Sequence, residues 1–215
     1  MIDTSRRRAT VRSMTTCHTV EDAEQVGFAN VTTFVAGQQG SGTWQKVPKQ
    51  LLQMARLESL SIHWQAPGLE LPRGIGALTH LRSLDIAGRV RFPPEIGQLR
   101  NLREFKLEHS STEPVLLPDE MTQLELERLH ISAIDWPSAL DIIRRIRVSQ
   151  NVTLLRGDGF AAEDLERADL SAWSQLKELE LDVAREFRPT ILARKLPNCG
   201  FCLNPIEEPS RPDWL

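Results

Sequence analysis

Residues 71–107 carry the same message twice. LPRGIGALTHLRSLDI is followed, 21 residues on, by FPPEIGQLRNLREFKL. The shared pattern is [Leu/Phe]-Pro-x-x-Ile-Gly-x-Leu-x-x-Leu-x-x-[Leu/Phe]-x-[Ile/Leu]. Self-similarity at a fixed period constrains a fold more than any single residue, because each unit must do what its neighbour does.

The spacing says what one unit does. Leu84 and Ile86 are two apart, so both face one side of a short strand. Leu78, Leu81 and Leu84 are three apart, which suits a turn-like or helical return. The Pro fixes φ at the start, and the Gly is expected to allow a tight bend. One such unit cannot bury its own apolar face. Stacked units make a continuous core with their strands in parallel.

The pattern resembles the leucine-rich repeat family, in the LPxxIGxLxxLxxLxL variant of bacterial and plant intracellular proteins. The resemblance implies an α/β leucine-rich repeat solenoid, right-handed. Its parallel β-sheet lines the concave face, and short helices or 3-10 turns line the convex face. It also implies a non-catalytic protein-protein interaction scaffold that holds its partner on the concave face.

Sliding the template Leu-x-x-Leu-x-x-Leu-x-Leu along the chain extends the repeat beyond the two strong copies. The first strand residue falls at Phe34, Leu60, Leu84, Phe105, Leu129, Val152, Leu179 and Cys199, at spacings of 26, 24, 21, 24, 23, 27 and 20. All seven lie within the roughly 20–29 residues of this repeat class. The copy at Leu129 is damaged, because Leu124 sits one place late. Family members often carry Asn five residues after the first strand residue. Here those places hold Gln39, Gln65, Arg89, Ser110, Ile134, Gly157 and Ala184, and only Asn204 matches. Two return segments read as helices, over 138–148 and 159–170. The expected organisation is an arm over 1–22, a repeat domain of about seven to eight coils over 23–204, and an extended tail over 205–215.

Composition excludes some classes. A formal net charge of -3, with 26% charged residues, gives no bias toward nucleic acid or membrane. No apolar run approaches the ~18 residues of a spanning helix. The N-terminus lacks an apolar signal core. Three cysteines fit a reducing compartment, so the expected location is cytoplasmic. The arm holds Arg6, Arg7, Arg8 and Arg12 among Ser and Thr, and is expected to be disordered. Such N-termini resemble export signals, so the alternative is a secreted bacterial effector that recruits a host protein inside its cell.

Two constellations bear on chemistry. Cys199-Gly200-Phe201-Cys202 is a CxxC, the half of a zinc or thiol site. No second half occurs, and the register sends Cys199 inward and Cys202 outward, so no metal and no cofactor are expected. His63 and His130 face outward on strands two and five, about 14 Å apart, beyond hydrogen-bond reach. No nucleophile–base pair follows from the register, so no catalytic residue is assigned and the chain is read as a non-enzyme.

The register does define a surface. Its expected binding residues are Asp85, Glu104, Lys106, Glu108, Arg128, His130, Glu178, Glu180 and Asp182. Trp64 and Trp136 follow strands two and five as rim anchors. Glu178, Glu180 and Asp182 share one strand at a two-residue period. The expected partner is a protein, with a basic segment to meet those acids.

Overall fold

The computed structural model describes residues 15–37, 47–63, 68–108, 117–132, 145–155 and 160–206. Trp64, Trp136 and the tail beyond 206 lie outside the described residues.

Four segments repeat one device on the convex side. Pro48, Pro72, Pro93 and Pro118 each precede a five-residue 3-10 turn, at Lys49–Gln53, Arg73–Ala77, Pro94–Gln98 and Asp119–Gln123. Each prolyl carbonyl accepts from the N–H three residues on, as in Ile75 to Pro72 at 2.9 Å and Ile96 to Pro93 at 3.1 Å. The locked φ of proline suits a chain entering such a turn. The apolar residue inside each turn, Leu51, Ile75, Ile96 or Met121, is buried.

Each return leads into a strand. The strands are β1 (Thr16–Cys17), β2 (Thr33–Ala36), β3 (Ser59–His63), β5 (Ser83–Ala87), β7 (Glu104–Glu108), β8 (Glu125–Ser132), β9 (Arg147–Leu155), β10 (Glu178–Val183) and β11 (Gly200–Pro205). They form one nine-stranded sheet in chain order, with every pairing parallel. The short pair β4 (Leu69–Glu70) and β6 (Val90–Arg91) forms a second sheet just before the turns. A parallel pair cannot be joined by a hairpin, so one crossover per coil follows.

The core is two ladders. Leu60, Leu84, Phe105, Leu129, Val152 and Leu179 are opposed in register, and so are Ile62, Ile86, Leu107, Ile131, Leu154 and Leu181. All twelve are at most 1% exposed, so every coil contributes to one continuous interior. Helix α1 (Val20–Val26) closes the N-terminal end, with a capping box between Thr19 and Asp22. Helix α2 (Ala162–Arg167) ends on Lys195 of α3 (Thr190–Lys195), whose ammonium donates to the carbonyls of Leu165, Glu166 and Ala168. Trp173 fills the seventh coil and donates from Nε1 to the buried Ile146 carbonyl at 2.9 Å.

Four expectations need correction. Residues 15–22 are not an arm, because Thr16 and Cys17 pair with Thr33 and Phe34 and α1 begins at Val20. Within 138–148, residues 147 and 148 open β9 instead of ending a helix. In the last coil Phe201, not Cys199, opposes Leu179. The period-two strand lets the template slip by two residues without changing which side faces in. Consequently Asn204 is no ladder asparagine; it opposes Asp182 on the concave face.

Candidate functional site on the concave face

Side chains alternate along a strand, so each concave residue belongs to a row running across the sheet. The first row is Ser59, Ser83, Glu104, Arg128, Asn151, Glu178 and Gly200. The second is Ser61, Asp85, Lys106, His130, Thr153, Glu180 and Cys202. A third holds His63, Ala87, Glu108 and Ser132. All nine residues expected from the register lie on this one face.

The N-terminal half is polar and internally paired. Asp85 Oδ2 lies 3.8 Å from Lys106 Nζ and 3.5 Å from His63 Nε2. Its Oδ1 is buried with no hydrogen-bond partner among the described residues. Glu104 pairs with Arg128 one strand away. Ser61 Oγ is 3.1 Å from His63 Nε2, so Ser, His and Asp come together, a contact the sequence reading missed by comparing only His63 with His130. They do not form a relay. Ser61 and Asp85 meet the same imidazole nitrogen, whereas a triad needs one partner on each nitrogen. The missed signal was simple, since Ser61 and Asp85 are row neighbours and His63 is two residues from Ser61.

His130 sits mid-face, half-buried. Its pKa is pushed down by burial first and by the Lys106 ammonium second, with Glu180, Asp85 and Glu108 pulling the other way. A hollow of about 350 Å³ opens here between Asp85, Lys106, Arg128, His130, Asn151 and Thr153.

The C-terminal half is acidic, and its carboxylates are held by neutral donors. Asn151 Nδ2 donates to Glu178 at 3.3 Å. The Thr153 hydroxyl, on a residue 6% exposed, lies 3.2 Å from both Glu180 and Asn151 Oδ1 and shares its one proton between them. Asn204 Nδ2 reaches Glu180 at 3.3 Å and Asp182 at 3.5 Å. These donors restrain the carboxylates while leaving their charge intact.

The cysteines do not form a site. Cys199 precedes β11 and is partly buried against the core, and burial and then Glu178 push its thiol pKa up. Cys202 is exposed on the opposite side of the chain. Among the described residues no three His, Cys, Asp or Glu side chains gather to hold a metal.

No family model matches the chain, and no curated protein does. A solved structure of a leucine-rich repeat protein from Leptospira interrogans is similar, with a TM-score of 0.42 and 18% identity over 89% of this chain. The match spans 59% of that protein's length. The fold rests on this chain's own coils. With parallel strands in chain order, one crossover between each pair, and the Leu-x-x-Leu-x-x-Leu-x-Leu unit intact in the central coils, the fold is that of a leucine-rich repeat solenoid.

Proposed function

We propose that this protein is a non-catalytic scaffold whose concave face docks a basic, extended segment of a partner protein. The observation that carries the reading is charge placement. Asp85, Glu104, Glu108, Glu178, Glu180 and Asp182 face Lys106 and Arg128, six carboxylates against two cations. That surplus of four exceeds the formal net charge of -3 for the whole chain. One face therefore holds the molecule's entire negative excess, and such a field steers a cationic partner toward it. The hydrogen bonds from Asn151, Thr153 and Asn204 add preorganisation, since carboxylates already fixed lose less entropy on binding.

To test this, a library of Lys/Arg-rich peptides is panned against the protein, and the best binder is titrated across a salt series. Replacing Glu178, Glu180 and Asp182 together by Ser should weaken binding and flatten its salt dependence, because exposed charge pairs are screened within ~8 Å at physiological ionic strength. An unchanged affinity with an unchanged salt slope refutes the reading.

A further inference from the structure

The two ends of the sheet are finished differently. At the N-terminal end β1 is two residues long and α1 packs beside it. At the other end β11 runs for six residues with no strand beyond it among the described residues. Edges of this kind are usually blunted by charge or shortening. The outward residues of β11 are Gly200, Cys202 and Asn204, all neutral, and its inward residues Phe201 and Leu203 are only partly buried.

The backbone fixes which groups are free. Gly200 N–H donates to Lys177 and Ile206 N–H to Val183, so the even-numbered residues of β11 bond inward to β10. Phe201, Leu203 and Pro205 therefore turn their backbone groups to the open edge. Proline has no N–H, which leaves two donors and their carbonyls.

That short set is self-complementary about Cys202. We propose that two copies of the chain pair antiparallel through β11, on a two-fold axis at Cys202. Phe201 then opposes Leu203 of the second copy, and each pair exchanges both backbone hydrogen bonds. Other registers fit worse. Centring on Leu203 sets Pro205 against Phe201, whose carbonyl finds no donor. Centring on Phe201 sets Leu203 against Cys199, whose N–H already donates to the Leu196 carbonyl. The chosen register brings no like charges together, and it buries Phe201 and Leu203 against their symmetry mates. The two cores join, and the two acidic strands β10 lie on one joined face.

The two-fold axis has a further consequence. Opposed residues of a non-hydrogen-bonded antiparallel pair sit about 4.5 Å apart at Cα. A disulfide spans ~4.4–6.8 Å, so the two Cys202 residues are within reach of each other.

The test uses the full chain in reducing buffer, with mass read by light scattering. A dimer is expected. Cys202→Lys, which opposes two like charges on the axis and leaves the core untouched, should be monomeric with an unchanged melting curve. Treatment with diamide should then link the wild-type dimer. The oxidant takes one hydrogen from each Cys202 thiol to become its hydrazine, and one S–S bond forms. Cys202→Ser should abolish the link, while Cys199→Ser and Cys17→Ser keep it. A monomeric wild-type chain, a Cys202→Lys dimer, or linkage through Cys199 each overturns the proposal. In the monomeric case, slow alkylation of Cys202 would mark the chain's own C-terminal residues as what covers the edge.

Discussion

Replacing Gly97 by alanine tests how tightly the coils stack. In the sequence this glycine reads as a bend, yet its φ is not positive. What the fold requires is the missing side chain. A Cβ built on Gly97 would lie 2.4 Å from the Glu120 carbonyl oxygen and 2.7 Å from Glu120 Cβ in the next coil's turn. Backbone cannot rotate away, so the turns Pro94–Gln98 and Asp119–Gln123 must separate, and apolar contact beneath them loosens. Overpacking of this kind costs about 1–3 kcal/mol. The unfolded chain gives back roughly 0.4–1 kcal/mol, because alanine has less freedom to lose than glycine. The difference is a net loss of up to about 2.6 kcal/mol, and the backbone obstacle, which cannot rotate away, puts Gly97 toward the upper end. Gly76 is a graded comparison, since its nearest obstacle at 2.4 Å is the Gln98 side-chain oxygen, which can swing aside, though the Glu95 carbonyl follows at 2.8 Å. Gly200 is the control, with nothing closer than 3.6 Å. Urea unfolding followed by circular dichroism should rank stability as Gly200→Ala, then Gly76→Ala, then Gly97→Ala lowest. A Gly97→Ala protein as stable as the wild type would show that the coils are not in backbone contact, and the stacking argument would fail.

Two further outcomes follow from the register and the concave face. Leu84 is fully buried, so Leu84→Asp should abolish cooperative unfolding, while Asp85→Ala beside it should change the midpoint little; similar small effects would mean the facing is wrong. His130 has a folded pKa below its unfolded value, so the unfolded chain binds the proton more readily and acidification below the ordinary histidine pKa costs stability. Stability should therefore fall as pH drops from 7 through ~6.5, and His130→Asn should flatten that slope; an equal slope in both proteins would assign it elsewhere.

The ladder was legible because it is periodic. Leu60 through Leu179 align in the structure as the template aligned them, and all nine charged or histidine side chains assigned to the concave face lie on it. The convex turns were only half legible. Pro48 and Pro118 open the same 3-10 turn as Pro72 and Pro93, but neither VPKQLLQM nor LPDEMTQL carries the Ile-Gly that made the two central copies conspicuous. At the C-terminal end the template had nothing to hold it. Cys199 and Phe201 are both inward by parity, and only the pairing with β10 decides which of them opens the ladder. The link between Ser61, His63 and Asp85 needed lateral geometry between strands, which a template read along one strand does not supply.

The irregular coil before β8 shows how a solenoid absorbs a lost residue, and this can be tested directly. From the turn-closing leucine to the first ladder residue there are six positions in the coil of Leu99 and Phe105, but five in that of Leu124 and Leu129. Leu99 turns with ψ 61, whereas Leu124 has ψ 143 and runs straight into strand. β8 and β9 are lengthened at their starts, where Leu126 opposes Val148, and an irregularity between Leu126 and Arg128 restores the common register. A groove of about 930 Å³ opens beside the lengthened strands, between Arg103, Glu127, Arg147 and Ser171. One residue inserted after Leu124 would restore the regular count, so it should change stability by less than about 1 kcal/mol. The same insertion after Leu102 has no such deficit to fill. It must either bulge β7 between two regular strands or turn Phe105 and Leu107 outward, and should cost at least about 2 kcal/mol. Denaturant midpoints of the two insertion variants decide the matter. Equal losses at both positions would mean that the coil before β8 is as tightly determined as its neighbours, and that its short count is not what opens the groove.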